Sequence, residues 1–231
     1  MENKKNGNTM VIVIVVLISI VLVVGITMML LKEDANINQG RFRINDIAIK
    51  STVDAEDKTT DLNNWQLNLS QRNHLSILID KESNSIVSKI YVDDIQLEAP
   101  QNVGNFYISP KNDNLKYVLT DQEKDQFDIF VKEQDGCYLA EIDVNNDEFL
   151  KDYKVENTVK ELRYDGTLLT KVGVSVDKLK FKISFNLNII DIQGNLNTAR
   201  IIVEAPDKEL QTVGTVVKKL DVKDFGFKLI E

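Results

Sequence analysis

From Met10 to Leu31 the chain is apolar except at Ser19, Gly25 and Thr27, and the run stops at Lys32, Glu33 and Asp34. A helix of that length spans about 33 Å, against a hydrocarbon core of roughly 30 Å. Sixteen of its residues are Val, Ile or Leu, each favouring insertion by about 0.3–0.6 kcal/mol, and no charge opposes them. In water so many β-branched residues disfavour helix. In lipid every N–H and C=O must be satisfied within the segment, which makes it helical. The pattern predicts a transmembrane helix over residues 10–31, after an N-terminal tail of residues 1–9. The run exceeds the 7–15 residues of a secretory h-region and no small-x-small site follows it, so it reads as an uncleaved signal anchor.

A polar linker, residues 32–40, ends in Gly40. Beyond it the periodicity changes to two. Phe42/Ile44 and Ile47/Ile49 form one strand whose parity slips near Asn45 and Asp46, the mark of a bulge. Trp65/Leu67/Leu69, Leu75/Ile77/Ile79, Ile90/Val92, Ile95/Leu97 and Tyr138/Ala140/Ile142/Val144 continue the series. Leu179 to Ile189 alternates over six apolar positions, turns at residues 191–195 and returns through Ala199, Ile201 and Val203, a long hairpin. The run from Val216 to Ile230 closes a sheet. Helix is scarce: Thr167 to Val172, with Gly173 after it, makes a turn or two. Thr120 to Val131 fits a capping box or a strand equally well. Many alternating strands and few helices predict a mostly β fold, an antiparallel β-sandwich of jelly-roll or immunoglobulin-like type over residues 41–231. The polar stretch 145–157 is the best internal boundary if there are two lobes.

Charge sharpens the picture. Residues 1–32 hold only Lys4, Lys5, Lys32 and Glu2 of the 28 basic and 36 acidic residues, so the remainder is net negative by about ten. Such a surface repels phosphate backbones, which argues against nucleic acid as a partner. Lys178, Lys180 and Lys182 alternate with apolar residues, as on the solvent face of a strand. Lys4 and Lys5 precede the apolar run, while Lys32 is neutralised by Glu33 and Asp34. The bias places the N-terminus in the cytoplasm and the β domain outside, although Arg41 and Arg43 weaken it.

Candidate chemistry is thin. His74 is the only histidine and Cys137 the only cysteine, which excludes an intrachain disulfide and a multi-histidine metal site. Parity places His74 on the face opposite Leu75, Ile77 and Ile79, where it reads as a solvated strand residue; Cys137, after Asp135-Gly136, reads as structural or incidental. No catalytic residue and no cofactor site is expected. Asp143, Asn145 and Asp147 have the spacing that opens a calcium loop. The pattern fails at Glu148, where the turn wants glycine, and at Lys154, where a bidentate carboxylate is needed. Trp65 shares parity with Leu67 and Leu69 and reads as core, leaving Tyr91 and Tyr107 as freer aromatic candidates for stacking on a glycan.

Trp65 to Gln71, Tyr164 to Leu169 and Lys182 to Ile189 resemble segments of uncharacterised membrane-anchored envelope proteins of low-GC Gram-positive bacteria. The resemblance implies a compartment and brings no activity. Residues 1–7, a short basic leader ending in Gly7 before an apolar helix, resemble a type IV prepilin, but Ile12 stands where such proteins carry glutamate. The expectation is a membrane-anchored extracytoplasmic binding or structural module of the bacterial cell envelope, held in the lipid bilayer by residues 10–31 and recognising a protein or glycan partner. The alternatives are a minor-pilin-like subunit and an envelope hydrolase built around His74 or Cys137.

Overall fold

The computed structural model describes residues 41–58, 64–82, 84–100, 104–110, 117–118, 126–156 and 168–230. The apolar run 10–31 and the linker 32–40 lie outside them, and among the described residues no helix is long and apolar enough to cross a membrane. Arg41–Glu231 forms one compact unit.

In chain order the strands are β1 (Phe42–Asp57), β2 (Asn64–Lys81), β3 (Val87–Glu98), β4 (Asn105–Pro110), β5 (Tyr117–Val118), β6 (Gln126–Asp128), β7 (Phe130–Gln134), β8 (Cys137–Glu156), β9 (Phe181–Asp191), β10 (Leu196–Ala205), β11 (Thr215–Lys219) and β12 (Lys228–Ile230). Two one-turn helices, α1 (Leu168–Lys171) and α2 (Leu210–Val213), complete the chain with two 3-10 turns, Val176–Lys178 and Val222–Asp224. The strands form two antiparallel sheets. One runs β11-β1-β2-β8-β4-β5, with β7 sharing the β4 edge of β8; the other runs β12-β10-β9-β3-β6. The chain is thus mostly β, with the sandwich-like layering expected of alternating strands.

Alternation explains the packing. Ile47, Ile49, Leu75, Ile77, Ile79, Ala140, Ile142 and Val144 from the larger sheet meet Ile183, Phe185, Leu187, Ile189, Ile201 and Val203 from the smaller in one buried cluster. Burying each Ile or Leu there contributes about 1.5–3 kcal/mol. A second cluster lies toward the far end of β1 and β2, where Val53, Leu67 and Leu69 are covered by Leu168, Leu169, Val172, Val176, Leu179 and Leu210 from the helical turns.

The expected bulge in β1 is present, as a register shift between Ile44 and Asp46. The stretch 145–157 corrects the sequence reading: it marks no lobe boundary, because β8 runs through it to Glu156, paired with β2 as far as Asn64. Its polarity serves two bulges instead. The register shifts on either side of Leu69, and Glu148 and Asp152 adopt positive φ of 48° and 50°. The Glu148 amide donates to Ser70 Oγ at 3.0 Å, and the Asp152 amide to Asn68 Oδ1 at 2.9 Å. Side chains of β2 thereby satisfy N–H groups that the bulges turn away from the ladder. Phe127 and Val131 fall in strands rather than a helix. The C-terminal run borders both sheets, β11 on β1 and β12 on β10.

Candidate functional site

Between the two apolar clusters, the inner face of the larger sheet turns polar on three neighbouring strands. Ile47 and Ile49 are followed in phase by Ser51 on β1, Leu75 is preceded by Asn73 and Gln71 on β2, and Val144 is followed by Asn146 on β8. Ser51 lies opposite Asn73, and Gln71 opposite Asn146. All four are at most 1% exposed. Gln71 Nε2 donates to Asn73 Oδ1 at 3.1 Å, and Asn73 Nδ2 to the Val144 carbonyl at 2.6 Å. Ser51 Oγ, Gln71 Oε1 and both side-chain polar atoms of Asn146 have no hydrogen-bond partner among the described residues. Such atoms cost about 1–3 kcal/mol each when buried, so this belt is a concentrated departure from core economy. Gly104 backs onto it. With φ of +66°, its position admits no side chain, since a Cβ would stand 1.9 Å from Asn146 Oδ1.

At the same level, the outer face of these strands carries charge. Arg72 reaches across β8 to form an ion pair with Asp147 and donates to the Tyr107 hydroxyl at 3.0 Å, while Asp54 on β1 stands 4.0 Å away. Burial opposes the Arg72 charge, but its hydrogen bond to Asp147 and the fields of Tyr107, Asp147 and Asp54 outweigh it and push its pKa above the ordinary arginine value. His74 lies two residues on. Its Nδ1 is 2.7 Å from Asp143 Oδ1 and its Nε2 is 3.0 Å from Glu141 Oε1. Lys50 faces His74 in register from β1 and makes no ion pair among the described residues. Lys50, Thr52, Arg72, Asn73, His74, Asp143 and Asn145 line a recess of about 210 Å³.

Here the structure departs from the sequence reading. His74 is no solitary solvated side chain, because β8 brings two carboxylates to its ring. Asp143, Asn145 and Asp147 do not converge on a cation: in an extended strand alternate side chains stand apart along one face, and these three engage His74, the Asn73 amide and Arg72. No group of three or more His, Cys, Asp or Glu side chains suited to a metal is found among the described residues. Tyr91 and Tyr107, expected to be free, are buried to 8% and 7% exposure; Tyr107 spends its hydroxyl on Arg72 and Asp147. The backbone of Trp65 lies in β2, and its side chain is outside the described residues. Cys137 donates its thiol to Asp80 Oδ1 at 2.9 Å, and this hydrogen bond, with burial and the charges of Asp80 and Asp135, pushes the thiol pKa up. That is the reverse of what a nucleophile needs.

Each ring nitrogen of His74 faces a carboxylate oxygen, and which of the two donates depends on the tautomer. A larger groove of about 560 Å³ opens beside β9, β10 and β11, lined by four lysines with Glu98, Glu204 and Asp207. Its charges sit on long side chains, with pairs such as Lys182–Glu98 at 3.6 Å and Lys180–Asp177 at 2.5 Å. Exposed pairs of this kind hold little fixed geometry. Compared with known proteins, the chain matches no family model, no curated protein and no solved structure.

Proposed function

We propose that this chain is a non-enzymatic recognition module of the cell envelope. In this reading residues 10–31 anchor it in the cell membrane with the N-terminus cytoplasmic. The two sheets form a β-sandwich on the outer side, and that domain binds a protein or glycan partner through the outer face of β1, β2 and β8. The observation that carries the reading is the bracing of Arg72 and His74 by Asp147, Tyr107, Asp143 and Glu141 beside a polar recess. Side chains already held in place lose little freedom on binding, so their hydrogen bonds go into affinity and specificity. At about 210 Å³ the recess is smaller than the roughly 300–1,000 Å³ of a cleft that encloses a small molecule. It suits one projecting polar group of a larger partner.

Two measurements test this. Protease added to intact cells should digest the domain and spare the anchor; full protection contradicts the outward orientation. Full-length protein in nanodiscs should co-sediment with purified cell-wall sacculi or be crosslinked to an envelope protein, and Arg72→Ala with His74→Ala should reduce that binding at least tenfold while Lys171→Ala does not. Equal binding by all variants removes the recess from the account. The intact mass of the purified chain separates anchor from pilin-like subunit, since loss of residues 1–7 would support the latter.

A further inference from the structure

Seven large apolar side chains are strongly exposed among the described residues, and four of them, Ile86, Ile192, Leu229 and Ile230, sit at the end of the domain where Arg41 enters. The neighbourhood is fixed by backbone contacts. Ile192 N–H donates to the Ile86 carbonyl at 3.1 Å, Glu82 N–H to the Arg41 carbonyl at 2.9 Å, and Ile230 pairs with Leu196 just beyond the same turn. Arg41 itself is tied to that turn, its Nη1 donating to Asp191 Oδ2 at 2.6 Å and to Gln193 Oε1 at 2.8 Å. Single exposed isoleucines are ordinary on a protein surface. Four of seven at one end of the domain concentrate exposed apolar surface there.

Chain length says which partner is at hand. Nine residues, 32–40, separate the apolar run from Arg41, and fully extended they reach at most about 30 Å. If residues 10–31 span the bilayer, that reach keeps the rim within about 30 Å of it. The geometry points to this rim as a lipid-docking surface: Ile86, Ile192 and Ile230 enter the headgroup layer, with Arg41 and Arg43 at its phosphates. The inference rests on the reading that residues 10–31 span the bilayer. Arg41 and Arg43 keep 45% and 76% of their side chains exposed, and long cationic side chains reach headgroups while their stems cover apolar surface. Glu82 and Asp135, exposed on the same rim, keep the contact shallow. A contact too weak to hold a free domain is populated here because the anchor makes docking intramolecular.

The test uses the full chain reconstituted in lipid vesicles, with Cys137→Ser as background and one environment-sensitive fluorophore at Ile192→Cys, Ile86→Cys or, at the opposite end of the domain, Lys171→Cys. All three sites are exposed, so the fold tolerates the labels. Quenching by headgroup spin-labelled lipid at positions 192 and 86 should exceed that at 171 at least fivefold. Equal quenching in a chain that still floats with vesicles after alkaline carbonate overturns the docking surface and leaves the anchor standing. A chain that no longer floats overturns both. Labels at 192 and 86 that are shielded only as protein concentration rises, without lipid quenching, assign the rim to a second copy of the chain and also overturn the proposal.

Discussion

The two halves of the long strands β1, β2 and β8 follow opposite rules. In the half nearer Arg41 the inner face is apolar, from Phe42 and Tyr138 at the end to Ile49, Leu75 and Val144, and the alternation is regular but for the single shift at Asp46. Beyond Ile49, Leu75 and Val144 the same inner face becomes Ser51, Asn73, Gln71 and Asn146 before turning apolar again at Val53 and Leu69, and β8 bulges twice against β2. One half is built for burial. The other accepts unpartnered polar atoms and extra residues, and over it lie the braced Arg72 and His74 and the recess. On the proposed reading, a single set of strands separates stability from recognition along its length: the regular half holds the frame so that the irregular half can depart from it.

Core truncation should expose the contrast most strongly. Ile77→Ala removes a fully buried side chain from the regular half and should cost about 3–4 kcal/mol in urea unfolding. Asn146→Ala, as deeply buried, deletes atoms that pair with nothing among the described residues and should cost no more than about 1 kcal/mol. A penalty of 3 kcal/mol at Asn146 would break the comparison, because the belt would then be earning its burial. Next in size, Ser70→Ala leaves the Glu148 amide without its acceptor and should cost about 1–2 kcal/mol; Asn68→Ala, whose amide partner lies on exposed Asp152, should cost less.

The smallest effect is a pH dependence at the regular end. Burial opposes ionisation of Asp191, but donors from Asn195 and Gln193 and the charge of Arg41 outweigh it, so its folded pKa is lowered. A lowered folded value contributes stability that is complete above about pH 4, the unfolded aspartate value, and is lost as pH falls through the folded one. Wild type should therefore lead Asp191→Asn by a constant margin at neutral pH, and the margin should shrink below about pH 4. A margin independent of pH would show that Asp191 acts as a polar cap for its turn without its charge.

Alternation made the β architecture legible. It located the β1 bulge, the hairpin of β9 and β10, and the one-turn α1. Polar composition misled at 145–157, where Glu148 and Asp152 suggest a linker until the β2 acceptors Asn68 and Ser70 are seen opposite them; that pairing lies about 80 residues away and leaves no local pattern. The same distance hid the site. Asp143 and Asp147 were visible as a spaced acidic pair, but their partners His74 and Arg72 sit on another strand, and only the register of β2 against β8 joins them. One signal was local: Asp135 and Gly136, both at positive φ, form the two-residue Asp-Gly turn that makes β7 and β8 a hairpin.

The claim that recognition belongs to the irregular half is tested most directly by a photo-crosslinking residue placed in living cells at Thr52, on the wall of the recess, or at Thr198 on the other sheet. The account predicts a discrete adduct with an envelope protein or glycan from position 52 and none from 198. Adducts from 198 alone, or from both positions alike, would contradict it.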